Sequence, residues 1–158
     1  MMTQTEIDAR ADRAMEFFRQ GYNCSQSVFA ACCDLFGIDD LDLAFRLSAS
    51  FGGGIGRMRQ TCGAACGMFL LEGLNSGSSK QGDAEAKKAN YANVQALAQQ
   101  FKDENGSLIC AELLGLANVK TDTAPQPEPR TDAYYKKRPC VEMVGNAVRI
   151  FLKNYSKL

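Results

Sequence analysis

Residues 52–74 read GGGIGRMRQTCGAACGMFLLEGL, a segment that opposes helix formation followed by one that favours it. Four of the five residues 52–56 are glycines, whose backbone entropy opposes a regular helix, so we predict a loop there. From about Thr61 to Leu74 the residues are mainly small or apolar, and Thr61 is a candidate N-cap immediately before Cys62. This stretch predicts a glycine-rich loop leading into a helix that has a cysteine at its start.

The chain on both sides of this stretch shows apolar residues at helical spacing and no strand-like alternation. Favoured capping residues, glycines and a proline mark the expected helix ends. The predicted helices cover residues 5–20, 24–36, 40–51, 61–74, 84–105, 107–114 and 139–152. Residues 120–139 contain all four prolines and form an irregular linker. We predict an all-α fold, a single-domain bundle of six or seven helices over residues 1–158.

Composition and charge narrow the classes of function. Lys plus Arg and Asp plus Glu number 18 each, so no net charge favours nucleic acid or an anionic membrane, and the basic run 136–138 is expected to be a solvated loop. No segment has the roughly 20 apolar residues of a membrane span, and the charged N-terminus is unlike a secretory signal. We expect a soluble cytoplasmic protein that needs no disulfide to hold its core. The absence of histidine excludes Ser-His-Asp and Cys-His catalysis, zinc sites with His ligands and the usual haem ligand.

Seven cysteines are many for a cytoplasmic protein of this length, and thiols in a reducing compartment are typically redox-active or metal-binding. Cys24, Cys62 and Cys140 fall at the first turn of a predicted helix, and Cys110 falls within about a turn of a helix start. The free N–H groups and the dipole at a helix start stabilise a thiolate and lower its pKa. These four cysteines are therefore the candidate catalytic thiols and, alternatively, the candidate ligands of a metal.

The other three cysteines, Cys32, Cys33 and Cys66, lie inside predicted helices, where packing is their expected role. Cys62 and Cys66 share one helix face at a Cβ separation of about 5–6 Å, which is more than the ~3.5–4.5 Å of a disulfide. They could instead share a metal. The spacing of the seven cysteines matches neither paired zinc knuckles nor the C-x-x-C of thioredoxin-like motifs. Any joint site must therefore be assembled by the tertiary fold.

Residues 61–67, TCGAACG, and the order of the remaining cysteines carry a resemblance to a known family. The heptapeptide resembles the CGAxxG signature of the C_GCAxxG_C_C family of redox-active proteins, which has four invariant cysteines. The other three map to Cys24 in YNCSQSV, Cys110 in SLICAELLG and Cys140 in KRPCVEMV, and FGGGIGRMRQ also looks like the family. The resemblance covers roughly residues 21–151. The three additional cysteines depart from the family pattern and leave the choice of partner thiols open.

The resemblance implies a redox activity of the four cysteines, a role inferred for the family largely from their invariance. A similar domain occurs in split-Soret cytochromes, where an iron–sulfur centre has been associated with it. This chain has no histidine and no C-x-x-C-H haem attachment motif, so it is not a haem-bearing version.

Gly63, Ala64 and Gly67 are small residues at the start of the predicted helix 61–74. They would let a cofactor or another backbone approach closely, while amides at the helix start point at an anionic sulfur. Tight helix packing is the alternative explanation. The glycine-rich loop lacks both the preceding strand and the G-K-[ST] ending of a phosphate-binding loop, so we do not predict a nucleotide site. Arg57 or Arg59 in this loop could stabilise a neighbouring thiolate.

Three functions remain open from the sequence. In the first, Cys62 and one or more of Cys24, Cys110 and Cys140 cycle between dithiol and disulfide, and the protein acts as a thiol-based oxidoreductase toward a redox partner or as an oxidant sensor. In the second, the same four cysteines bind an iron–sulfur cluster or another metal ion. In the third, the protein is a non-catalytic helical module, and the alanine-rich helix 83–104 offers an interface for a homodimer.

Overall fold

The computed structural model describes residues 1–115 and 122–155, which form eight α-helices and two short 3-10 helices without any β-strand. The described part of the chain is all-α, as the sequence predicts. The α-helices are α1 (Gln4–Arg19), α2 (Cys24–Ala30), α3 (Leu41–Ser48), α4 (Gly63–Ser76), α5 (Ala84–Asn105), α6 (Cys110–Leu113), α7 (Asp132–Lys137) and α8 (Cys140–Asn154). The 3-10 helices are Cys33–Phe36 and Ala49–Phe51.

Side-chain caps start five of these helices and are missing from the other three. Thr3 and Asn23 form capping boxes at α1 and α2, while Asp40, Asp83 and Thr131 cap α3, α5 and α7. The helices α4, α6 and α8 have no side-chain cap, and each begins at or directly after a cysteine. In α6 the first two N–H groups, those of Cys110 and Ala111, bond instead to the carbonyls of Gln60 and Arg59.

Helices α2, α4 and α8 form the centre of the fold. Helix α2 packs against α1, α3, α4 and α8, and α4 also packs against α5 and α8. The largest fully buried side chains include Phe18, Met68 and Phe151, and each contributes about 1.5–3 kcal/mol by its burial. Helix α5 is peripheral, because only Leu97 and Phe101 of its 22 residues are buried.

Helix α4 lies close to α2 because Gly67 has no side chain. A Cβ atom at Gly67 would lie 2.8 Å from Val28 Cβ and 2.9 Å from the Ser25 carbonyl oxygen, both on α2. On the opposite side of α4, the buried carboxylate of Glu72 accepts hydrogen bonds from Ser76 Oγ at 2.6 Å and from Asn93 Nδ2 on α5 at 3.0 Å. These contacts fix α4, the helix that follows the glycine-rich loop, against both of its neighbours.

Two predicted helices are wrong at their C-terminal ends. The helix predicted over 24–36 ends at Ala30, and the chain continues as the 3-10 helix Cys33–Phe36. Arg10 on α1 donates to the carbonyl of Ala31 at 2.9 Å and pairs with Asp34 at 2.7 Å, which stabilises this tighter turn. The helix predicted over 40–51 likewise becomes a 3-10 helix after Ser48.

The helix starts before Cys62 and Cys110 also differ from the prediction. Thr61 does not cap α4, because it forms an isolated antiparallel bridge with Ile109, and Cys62 is the N-cap. The same bridge keeps residues 107–109 extended, so α6 begins only at Cys110 instead of residue 107.

The proline-rich linker predicted over 120–139 contains a helix, α7, that the sequence analysis missed. Residues 120 and 121 of that linker lie outside the described residues, and 122–131 are irregular as predicted. Arg130 stacks over the ring of Phe18 at 4.2 Å, and Tyr134 and Tyr135 pack against the same ring. Aromatic packing against α1 therefore holds this part of the linker in place. Within residues 1–115 and 122–155, no helix has the length and apolar character needed to cross a bilayer.

Candidate functional site

Four helix starts meet around a cavity of about 350 Å³. Cys24, Cys110 and Cys140 are the first residues of α2, α6 and α8, and Cys62 is the N-cap of α4. All four cysteines line this cavity, and all four are free thiols. The structure thus brings together the four cysteines that the sequence analysis selected from seven.

A short backbone pairing holds Cys62 and Cys110 side by side. The N–H of Cys62 donates to the carbonyl of Leu108 at 2.7 Å, and the N–H of Cys110 donates to the carbonyl of Gln60 at 2.6 Å. These bonds flank the bridge between Thr61 and Ile109. The two cysteines, 48 residues apart in sequence, are therefore fixed by main-chain hydrogen bonds.

Two glycines, Gly54 in the glycine-rich loop and Gly63 at the start of α4, make room for two of the cysteines. A Cβ atom at Gly54 would lie 2.6 Å from Cys110 Cβ, and a Cβ atom at Gly63 would lie 3.2 Å from Cys24 Cβ and 2.8 Å from the Phe51 carbonyl oxygen. Gly54 also has a φ of 72°, which glycine adopts without strain. These positions therefore require glycine if the cysteines are to stay where they are.

The same loop contains three non-glycine residues in the left-handed region of the backbone, Ile55, Arg57 and Arg59, with φ values of 61–63°. A β-branched residue such as Ile55 rarely adopts this conformation, and each such residue costs on the order of 1–3 kcal/mol. Hydrogen bonds within the loop offset that cost, among them the bonds from the N–H groups of Gly56, Arg59 and Gln60 to carbonyls six residues earlier. The result is a tight turn that directs Arg57 and Arg59 to the cavity wall.

Arg59 is buried beside Cys110. Its side chain is only 7% exposed, and its Nη1 donates to Cys110 Sγ at 3.7 Å. Its Nε has no hydrogen-bond partner among the described residues. Arg59 therefore lies where it could stabilise a neighbouring thiolate, as the sequence predicts for Arg57 or Arg59.

Three further arginines line the cavity. Arg57 pairs with Asp122 at 3.5 Å, and Arg138 pairs with Glu128. Arg130 donates to the carbonyls of Phe18 and Tyr22 at 2.9 and 3.1 Å. Arg130 and Arg138 were not among the predicted site residues, and the expectation of a solvated loop is wrong for Arg138, whose side chain is mostly buried. The tyrosines in the otherwise polar linker are the signal that could have indicated packing there.

Cys140 is the cavity cysteine whose pKa falls. A hydrogen bond from the Cys24 thiol stabilises the Cys140 thiolate and lowers the pKa of Cys140 to about 7, with further help from the positive charges of Arg138, Arg130 and Arg59. The same interaction, together with burial, raises the pKa of Cys24 well above its ordinary value. Cys140 is therefore the cysteine of the pair that ionises first, and about half of it is thiolate at pH 7, whereas Cys24 keeps its proton.

The prediction that a helix start lowers the pKa is wrong for the other cavity cysteines. Burial raises the pKa of Cys62 to about 12, although the nearby N–H groups of Ala65 and Ala64 act in the opposite direction. Burial also raises the pKa of Cys110, in spite of the neighbouring Arg59. The free energy needed to remove a thiolate from water is larger here than the stabilisation that the thiolate gains at the start of a helix.

The remaining predicted site residues lie at different distances from the cavity. Gly63 borders it, whereas Ala64 and Gly67 are buried in the helix interfaces of α4 and are not among the residues that line it. The three other cysteines are also buried away from it. Cys32 and Cys33 belong to the hydrophobic core, and burial raises the pKa of Cys66 to about 11.

The cysteines do not form a ready metal centre. No group of three or more Cys, Asp or Glu side chains within residues 1–115 and 122–155 is arranged so that it could hold a metal ion. The four sulfurs border one cavity without meeting that requirement. The residues present therefore do not fit a metal ion in this arrangement, and the ligand set remains a prediction of the sequence.

Comparison with known proteins gives one match. A family model described as "Putative redox-active protein (C_GCAxxG_C_C)" matches residues 22–154, a range that contains the glycine-rich loop and all four cavity cysteines. No curated protein and no solved structure matches the chain. Because the matched range covers most of the 158 residues, the chain belongs to the C_GCAxxG_C_C family.

Proposed function

We propose that this protein is a thiol–disulfide redox protein in which Cys140 is the attacking thiolate and Cys24 is its disulfide partner. The observation that carries the proposal is that Cys24 and Cys140, the first residues of α2 and α8, line the same cavity. A pKa of about 7 supports it further, since the most effective attacking thiol has a pKa near the ambient pH.

The proposed reaction has two exchange steps. The Cys140 thiolate attacks one sulfur of a substrate disulfide, a new S–S bond forms, and the other substrate sulfur leaves as a thiolate. Cys24 then loses its proton to the medium and attacks the sulfur of Cys140, which releases the second substrate thiolate and leaves a Cys24–Cys140 disulfide. The two cysteines are oxidised by two electrons, the substrate disulfide is reduced, and a dithiol reductant reverses the change.

Cys62 and Cys110 line the cavity but carry out neither exchange step in this proposal. Burial keeps Cys62 protonated at neutral pH, so we do not assign the first attack to it, although it is the cysteine of the family signature. Cys110 also lines the cavity, and its sulfur accepts a hydrogen bond from Arg59. The Cys140 thiolate and burial both raise the pKa of Cys24, which keeps the proton on Cys24 until Cys140 has reacted.

Mild oxidation followed by mass spectrometry of acid-quenched digests tests the proposal. We expect the free thiol count to fall from seven to five, with Cys24 and Cys140 joined. Cys140→Ser should abolish this change, while Cys66→Ser, which removes a thiol outside the cavity, should keep it. An unchanged thiol count, or equal oxidation of the Cys140→Ser variant, would contradict the proposal.

Metal analysis of anaerobically purified protein separates the proposal from the alternative of metal binding. We expect iron, sulfide and zinc well below one equivalent per chain, and Cys140 open to alkylation. A stoichiometric metal whose removal is needed before Cys140 can be alkylated would favour the iron–sulfur or metal function instead.

A further inference from the structure

The cavity beside Cys140 has an excess of positive charge. Four arginines line it, but Glu128 is the one acidic residue among the described residues of its lining. Arg57 and Arg138 have carboxylate partners, whereas Arg59 and Arg130 form no ion pair with the described residues. Residues 116–121, LANVKT, contain no carboxylate that could pair with them. The Cys140 thiolate offsets this charge only in part.

Arg59 is the strongest indication that an anion binds there. A guanidinium with little exposure and no carboxylate partner is costly to bury, and its Nε lacks any hydrogen-bond partner in the described part of the chain. Its one side-chain bond, to Cys110 Sγ, is a weak one. A carboxylate is the group that satisfies a guanidinium best, because it can accept two parallel hydrogen bonds.

The dimensions and walls of the cavity indicate what carries that carboxylate. A volume of about 350 Å³ suits a small molecule. Apolar walls from Phe18, Leu113 and Met143 suit the body of an organic molecule. The sulfur of Cys140 faces the same space, where a substrate sulfur would have to lie.

We propose that the cavity binds a small carboxylate-bearing disulfide, whose negative group is held by Arg59 while its sulfur reacts with Cys140. The proposal rests on the proposed function and adds the class of substrate to it. The positive charge of Arg59 attracts the carboxylate of the substrate, whereas the negative charge of Glu128, which also lines the cavity, repels it.

Two aromatic disulfides of opposite electrostatic character test this. Dithiobis(nitrobenzoate) carries carboxylates, and dithiodipyridine is neutral; each forms a mixed disulfide with Cys140 and releases one aromatic thiolate. The rate at which each probe modifies Cys140 is measured on the peptide that contains it. The rate with the anionic probe is divided by the rate with the neutral probe. The same ratio for a small free thiol then serves as the divisor that corrects for the intrinsic reactivity of the two probes. We expect this normalised ratio to exceed one in the full chain.

Charge variants then identify the residue responsible. Arg59→Gln should lower the normalised ratio by about tenfold, within the range that a charged cleft contributes to association. Arg59→Lys should retain most of it, and Glu128→Gln should raise it. Arg46→Gln, which removes an exposed arginine on α3, is the matched control and should leave the ratio unchanged. The neutral probe corrects for the effect of Arg59 on the Cys140 thiolate.

The outcomes distinguish the two proposals. If neither probe modifies Cys140 ahead of the other cysteines, the proposed function fails. If both probes modify Cys140 and the ratio responds neither to Arg59→Gln nor to Glu128→Gln, the substrate class alone is overturned. Should Arg59→Gln not fold, the rise expected for Glu128→Gln still decides the question.

Discussion

Cys140 and Cys62 both lie at the start of a helix, yet the pKa of Cys140 is lowered and that of Cys62 is raised. Cys62 is buried against α4, and two backbone N–H groups do not compensate for the loss of water. Cys140 is only partly buried, and the thiol of Cys24 and the charges of Arg138 and Arg130 stabilise its anion. At the residue scale a side-chain partner decides the reactivity of these thiols more than the helix dipole does.

We therefore predict that alkylation of Cys140 depends on pH with a midpoint of about 7. The thiolate is the reactive form, so the rate should rise through that pH and level off above it, while Cys62 stays slow up to its own pKa of about 12. Rates of iodoacetamide labelling, followed for each cysteine peptide by mass spectrometry, measure both.

The charge contribution to this midpoint can be separated from that of the Cys24 thiol. Arg138→Gln should move the midpoint of Cys140 upward by roughly one pH unit, and Cys24→Ala should also raise it, because each change removes a stabilising partner of the thiolate. Arg46→Gln should leave it unchanged. A Cys140 midpoint near the ordinary value of 9.0 in the unaltered chain would show that this thiolate is not stabilised at all.

At the scale of single elements, the sequence predicts helices best where local signals suffice. The bounds of α5 follow from Asp83 as cap and Gly106 as stop, and α8 begins next to Pro139 as predicted. The early end of α2 is different, because it depends on Arg10 of α1, which reaches Ala31 from 21 residues away. A contact of that kind leaves no trace in the local pattern of apolar residues.

Two glycines of helix α4 allow a test of its packing, because Gly67 lies in a tight contact and Gly73 faces open space. Gly67→Ala should destabilise the protein by about 1–3 kcal/mol, because the new Cβ would lie 2.8 Å from Val28 Cβ. Gly73→Ala should stabilise it by about 0.5–1 kcal/mol, since nothing lies within 4 Å of that position and alanine is the better helix former. Urea unfolding of both variants measures the difference.

The two glycine variants also bear on the alternative role of Gly67. If Gly67→Ala were tolerated as well as Gly73→Ala, the close approach of α4 to α2 would not require glycine. A loss of stability without any change in Cys140 labelling would instead assign Gly67 to packing, as opposed to the cofactor contact that the sequence left open.

At the scale of the whole molecule, the sequence predicts which cysteines belong to the candidate site better than it predicts how they interact. Four cysteines at helix starts could be selected from spacing, capping and family resemblance, and they do line one cavity. Which of them pair, and which arginines join them, follows from contacts between α2, α8 and the linker. Arg130 and Arg138 belong to a segment whose sequence is polar and rich in proline, so only its aromatic packing against α1 brings them to the site.

The buried thiols also give the whole fold a characteristic dependence on pH. Cys140 has a folded pKa of about 7, below the ordinary 9.0, so its contribution to stability is complete above pH 9 and is lost as the pH falls through 7. Cys32 and Cys62 have folded pKa values of about 12 and Cys66 of about 11. The unfolded chain releases these protons from about pH 8 while the folded chain retains them, so stability falls as the pH rises further.

We predict that the free energy of unfolding rises from pH 7 to a maximum at about pH 8 and then decreases up to pH 12. Each buried thiol can contribute up to about 1.4 kcal/mol per pH unit to the decrease. Urea unfolding under reducing conditions over this range measures it. Cys32→Ala should make the alkaline decrease shallower by one proton, and Cys140→Ser should remove the rise before it. If both variants kept the profile of the unaltered chain, other groups would govern the pH dependence, and the burial of these thiols would not limit alkaline stability.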